Sequence, residues 1–346
     1  MTATTASMSS MLEGRRNRAR RRQMVMTILL AMIAALFLLT LMLGQSFTPP
    51  AELARVLIGE DVPGVSFSVW QLRLPRAVLG MLTGLCFGFG GAAFQVMLRN
   101  PLASPDIIGI NLGASAAAVF AIVVLQWNGP LVSVLAVLAG IAVALAIYGL
   151  SFRNGVAGSR IILVGIGVAA MLESFIAYTL TQAPSWNLQE AIRWLSGSLN
   201  SAQLSQAVPV LVALVVFGGL LLSRSRDLDT LTLGDDTAAG LGTDVAQTRI
   251  IVMVAAVGLI SVATAIVGPV SFAAFLSGSI AARLLAGNGS VLVPAALVGA
   301  ALVLLSDYVG QFLLPSRYPV GVVTGALGAP YLIFLIVRLN RTGGSL

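Results

Sequence analysis

RRNRARRRQMVMTILLAMIAALFLLTLML, residues 15–43, sets six arginines directly against an apolar run that continues to residue 43. A bilayer's hydrocarbon core takes about 20 apolar residues of helix to cross, and residues 25–44 form a segment of that length. A secretory leader has an apolar core of only about 7 to 15 residues and a small-residue cleavage site after it. This run is longer, and no A-x-A site follows. The segment therefore reads as a first membrane span, and residues 1–24 as a basic tail held in the cytoplasm.

The rest of the chain repeats the pattern. Of its 346 residues 58% are apolar and 10% charged, where soluble domains carry about 25% charged residues. Mean hydropathy is +0.96. Further apolar runs lie near residues 76–97, 107–126, 130–150, 160–182, 205–223, 248–267, 271–286, 291–314 and 322–338. The expectation is an all-α polytopic membrane protein with ten spans, one transmembrane domain over residues 25–340, and both termini, including the tail 341–346, in the cytoplasm. Arginine tests that topology. With the six leading ones, Arg99, Arg153, Arg160, Arg224, Arg226, Arg249, Arg283, Arg338 and Arg341 fall inside; only Arg55, Arg73, Arg76, Arg193 and Arg317 fall outside. Trp70, Trp127, Trp186 and Trp194 all land at or beyond the outer interface, the level indole prefers.

The same count removes chemistry. All 20 basic residues are arginine, there is no histidine, and Cys86 is the single cysteine. A Walker A loop and a Schiff base need lysine, and a Ser-His-Asp triad needs histidine. Energy or a reactive group must come from a partner. Gly165-Ile-Gly167-Val-Ala-Ala170 fits a dinucleotide pattern, but it lies inside a long apolar helix with no strand before it. The basic tail abuts a span, which fits contact with anionic lipid and not nucleic acid. Glycines inside spans, Gly80, Gly84, Gly88, Gly90 and Gly91 in the second and Gly165 and Gly167 in the fifth, point to close helix packing.

Four segments are too polar or too punctuated for plain span-making. Leu72-Arg73-Leu74-Pro75-Arg76 places two arginines three apart at the outer end of the second span, where they would project together, with Pro75 suited to a helix start. Residues 98–106 form a tight cytoplasmic turn with two prolines and Asp106 as a cap, followed by Gly109, Asn111 and Gly113. Residues 224–247 are the longest cytoplasmic loop. In it Asp235 and Asp236 suit a helix start, Ala238, Ala239 and Leu241 offer an apolar side, and Gly242 is placed to end the helix. Two turns alone are marginal in water, so this helix should pack on a partner. Residues 306–330 read as an outer loop re-entering the last span. Of the ionisable groups inside spans, Glu173 is the clear case, with Asp307 towards an outer end.

In order along the chain, LRLPR (72–76), RNPLA (99–103), RWLSGSL (193–199), LGDDTAAGLG (233–242), GPVSF (268–272) and PVGVVTGALGAP (319–330) resemble the FecCD or BtuC-type permeases that import iron siderophores, haem and cobalamin as part of ATP-binding-cassette transporters. The resemblance covers nearly the whole chain. It implies a BtuC-like fold and a permease that pairs with a second permease subunit, the same or different. Two cytoplasmic ATP-binding subunits would bind the coupling helix, Gly234 to Gly242 here, and would hold the ATP and Mg; this chain would bind no cofactor or metal. An extracytoplasmic substrate-binding protein would dock on Arg73, Arg76 and Arg317. Two departures stand out. Gln311 occupies a position where many members carry a further arginine, and Ser277 to Arg283 lacks the histidine that often follows GPVSF. Ferric siderophore is the expected cargo, with haem and cobalamin open. Glu173 and Asn111 are the candidate polar groups of a pathway or of helix packing. An ion-coupled secondary transporter is the competing class, and it rests on Glu173.

Overall fold

The computed structural model describes residues 2–44, 46–105, 109–151 and 158–341. Asp106 and Arg153 lie outside the described residues, as do the side chains of Arg15 and Arg341. Among the described residues fourteen helical segments follow one another: α1 (Thr2–Met42), α2 (Pro50–Leu57), α3 (Ser68–Met97), α4 (Ile110–Val123), α5 (Pro130–Ser151), α6 (Gly158–Thr181), α7 (Ser185–Leu195), α8 (Leu204–Ser223), α9 (Ser225–Leu231), α10 (Asp235–Gly240), α11 (Val245–Val267), α12 (Ala273–Leu285), α13 (Leu292–Leu313) and α14 (Val320–Arg341). Eight are long and apolar enough to cross a membrane, and α4 and α12 are shorter apolar helices, so the ten expected spans all correspond to helices.

Several boundaries differ from the sequence reading. The expected third and eighth spans shrink to 14 and 13 residues. Backbone geometry stops them: Gly109 (φ 89°) precedes α4, and Gly268 (φ 78°) and Phe272 (φ 60°) bracket a non-helical stretch before α12. The second span begins at Ser68, eight residues before the expected start. Residues 68–73 are a π-helical turn in which the Leu74 N–H donates to the Val69 carbonyl. Proline has no N–H to place, and Pro75 sits where the register returns from this wider turn to the α-helix, so the helix passes through it. The basic stretch is likewise no separate tail but the lower part of α1. Arg21 Nε donates to the Leu284 carbonyl at 3.3 Å, and the Arg22 guanidinium lies beside Gly289, which lays this stretch along the turn between α12 and α13.

α3 is the centre of the molecule and packs against α13, α11, α12 and α1. Its closest seam is with α13. A Cβ on Gly84 would lie 2.6 Å from the Ala300 Cα, and one on Gly88 would strike the Ala295 carbonyl, so the two backbones touch. Lipid gives apolar side chains no reason to leave it, and contact at this range supplies dispersion energy in place of the hydrophobic effect. Phe87 and Phe94 of α3 are fully buried in the core around it, and Phe275 of α12 in a smaller cluster with Leu335. α6 is different. It is exposed along most of its length, and Gly167 meets nothing within 4 Å, so the packing role expected for that glycine is not met inside this chain.

Candidate functional site

At the cytoplasmic end, α10 is held from inside. The Asp235 carboxylate accepts from Arg99 Nη2 at 3.2 Å and from Arg249 Nη2 at 2.9 Å. Arg99 belongs to the turn after α3 and Arg249 to the first turns of α11, so one carboxylate ties a six-residue helix to two spans. Arg99 reaches it from a left-handed backbone (φ 51°) just past the end of α3. The other end of α10 closes as a Schellman motif: Thr243 N–H donates to the Ala238 carbonyl and Gly242 N–H to the Ala239 carbonyl, both at 3.0 Å, with Gly242 at φ 88°. Asp244 then caps α11 by accepting from the Gln247 N–H at 2.9 Å.

The helix is shorter than the two turns expected, and its apolar side is divided. Ala238 is fully buried in this chain, whereas Ala239, Gly240 and Leu241 face out, with Leu241 63% exposed and Leu233 beside the helix 61% exposed. Gly234 (φ 106°) turns the chain into α10, and Asp236 stays exposed.

At the outer end the two arginines of LRLPR do not project together. Arg73 is only 7% exposed and turns towards α1. Its Nη1 donates to the Leu41 and Met42 carbonyls and to Thr48 Oγ1, and its Nη2 to the Ser46 carbonyl and Ser46 Oγ. These bonds tie the last carbonyls of α1 to the loop that follows it, and the Met42 carbonyl also accepts from the Thr48 N–H at 2.9 Å. Arg76 turns the other way and forks onto Asp307 of α13, Nε to Oδ2 at 2.6 Å and Nη2 to Oδ1 at 2.7 Å. Pro75 and the π turn fix this divergence, because they change the helical register between residues 73 and 76. Arg193 and Arg317 are exposed and form no ion pair among the described residues.

Two polar groups were expected within the spans. Asn111, buried at the start of α4, accepts from Thr264 Oγ1 of α11 at 3.2 Å and lines a cavity of about 330 Å³ with Ser104, Ser115, Ser271 and Phe272. Glu173 lies on the exposed face of α6. Sequence reasoning missed the Asp235 clamp and the Asp307 fork. The sequence carries a signal for the first, since its topology puts Arg99 and Arg249 on the same membrane side as Asp235.

The model of the FecCD transport family matches residues 30–338. The chain belongs to that family. FecCD permease subunits are non-catalytic transmembrane components, and this FecCD chain is a multi-pass bacterial membrane permease. It is 37% identical over 295 residues to the ferric enterobactin transport system permease protein FepG of Escherichia coli, covering 84% of this chain and 88% of FepG. It is 35% identical over 316 residues to the achromobactin transport system permease protein CbrC of Dickeya dadantii, covering 90% of each. In fold it is similar to a solved metal-chelate type ABC transporter in an inward-facing conformation, with a TM-score of 0.81 at 22% identity over 92% of this chain and 100% of the other. The FecCD match takes in α10, the LRLPR segment and both short helices.

Proposed function

We propose that this chain is the permease subunit of an ATP-driven importer that passes a ferric siderophore inward, working with a second, non-identical permease chain, two cytoplasmic ATPase subunits and an extracytoplasmic binding protein. FepG and CbrC are named for ferric enterobactin and achromobactin systems, which supports the cargo. FepG and FepD, 37% and 33% identical to this chain, are both permease proteins of the ferric enterobactin system of Escherichia coli, which supports an unlike partner.

The observation that carries the reading is α10, locked to α3 and α11 through Asp235 while Ala239, Gly240 and Leu241 face out. A helix fixed to two spans and apolar on its outer edge suits a lever gripped by a cytoplasmic ATPase. ATP and Mg then belong to that partner, since this chain has no lysine for a phosphate loop. Closure of the ATPase pair moves α10, and the two arginine contacts carry the motion into α3 and α11. A charged group in a span does not face hydrocarbon at low cost, so Glu173 on the open side of α6 faces the partner permease or a hydrated path between the two. Outside, acidic side chains of the binding protein meet Arg317 and Arg193, with Arg76 at the rim, while Arg73 holds the surface in shape.

Uptake of labelled ferric siderophores in a strain lacking this gene tests the reading. Uptake falls, returns with the gene restored, and in vesicles is blocked by vanadate but not by a protonophore. Block by a protonophore alone places the chain among ion-coupled carriers, and rescue of cobalamin uptake without siderophore uptake replaces the cargo.

A further inference from the structure

The cytoplasmic end holds a second basic feature, of which the α10 lock uses only Arg99. An open cavity of about 450 Å³ lies between the turn after α3, the last turns of α12 and the end of α14. Arg99, Arg283 and Arg338 line it, and among the described residues no carboxylate does. Arg99 spends part of its charge on Asp235, an acid it already shares with Arg249. Arg283 has no carboxylate partner among the described residues. Its guanidinium carbon lies 5.2 Å from the centre of the Tyr331 ring and 5.1 Å from that of Phe334. Aromatic faces attract a guanidinium, but they leave its N–H donors unspent. The rings therefore hold a half-buried planar fork in place, and its preferred partner is an anion with several oxygens.

The level of the cavity narrows the choice. Arg21 of the basic stretch donates to the carbonyl of Leu284, the residue after Arg283, so the cavity sits at the same end as the leading arginines. The distribution of arginine places that end at the cytoplasmic leaflet, whose headgroups are the anionic ones. Val291 and Leu335 add apolar wall next to the guanidinium groups. A free phosphate would use the arginines and leave that wall unused, whereas a lipid would use both.

We propose that this cavity binds the phosphate headgroup of an anionic phospholipid of the cytoplasmic leaflet, with Arg283 as the main fork and Arg99 and Arg338 beside it.

Native mass spectrometry of the full-length chain in mild detergent, titrated with phosphatidylglycerol, phosphatidylcholine and inorganic phosphate, tests this. Phosphatidylglycerol is retained over phosphatidylcholine and is not displaced by inorganic phosphate. Arg283→Gln with Arg338→Gln weakens its retention about thirtyfold, the effect of two charges near an anionic surface. Arg226→Gln, on the exposed side of α9, leaves it unchanged. Equal retention of the two lipids, displacement by phosphate, or full retention by the Arg283 and Arg338 variant overturns the proposal. So does loss of the copurifying ATPase by that variant with lipid retention intact, which gives the cavity to a protein partner. Should the double variant aggregate, Leu335→p-benzoylphenylalanine in the otherwise unaltered chain must crosslink to phosphatidylglycerol in vesicles, and absence of the adduct is equally fatal.

Discussion

Arg76 and Asp307, 231 residues apart in sequence, meet in a two-bond fork that joins α3 to α13 at the outer end of the molecule. The side chains are 17% and 3% exposed. Removing one partner from such a pair leaves a buried charge alone and costs about 3 to 5 kcal/mol, whereas replacing both with apolar groups costs far less. Asp307→Asn and Arg76→Gln should each lower the midpoint of thermal unfolding in detergent, and Arg76→Met with Asp307→Leu should recover most of the loss. Equal instability in the double variant would show that the fork adds nothing.

The lock on α10 is predicted to matter more for transport than for stability. Its groups are partly exposed, so Asp235→Ala should cost about 1 kcal/mol or less. Siderophore uptake should fall sharply while insertion and copurification of the ATPase persist. Arg99→Gln and Arg249→Gln, made together, should reproduce that pattern; normal uptake in either variant would remove the lever.

Leucine scanning separates two kinds of glycine. At Gly88 the added side chain strikes the backbone of α13, and overpacking of this kind costs about 1 to 3 kcal/mol or more. Gly88→Leu should therefore reduce the amount of folded protein. Gly167→Leu meets open space within the chain, so the folded chain should accumulate normally. Its defect should show instead as loss of the partner permease on copurification.

Charge reversal should divide the outer arginines as well. Arg73→Glu loses the five hydrogen bonds made by its guanidinium and should lower the unfolding midpoint. Arg317→Glu with Arg193→Glu should leave the midpoint alone and slow binding-protein association several-fold at low salt, with little effect at high salt. Unchanged association at low salt would move the docking site elsewhere.

Much of this architecture is legible along the chain because membrane spans are written in single segments. A run of apolar residues, an arginine on one side or the other, and a proline or glycine at the end are all local signals. Contacts set by where helices meet are not. The divergence of Arg73 and Arg76 depends on a π turn, which no residue type announces, and the pairing of Arg76 with Asp307 spans most of the sequence. Asp235 was legible as a helix-starting acid but not as the anchor of two spans, since that role needs Arg99 and Arg249 in place around it. The open face of α6 reads in sequence like any other span.

α12 has 13 residues, which at about 1.5 Å each reach about 20 Å, against a hydrocarbon layer of about 30 Å. The remainder of that crossing falls to the irregular stretch from Gly268 to Phe272, where Gly321 and Gly197 press their backbones against the Pro269 carbonyl. Peptide groups at that depth are tolerated only inside protein or beside water. The cover over these peptide groups therefore comes from the backbone at Gly197 and Gly321 and not from lipid, so this crossing is walled in part by the protein's own main chain.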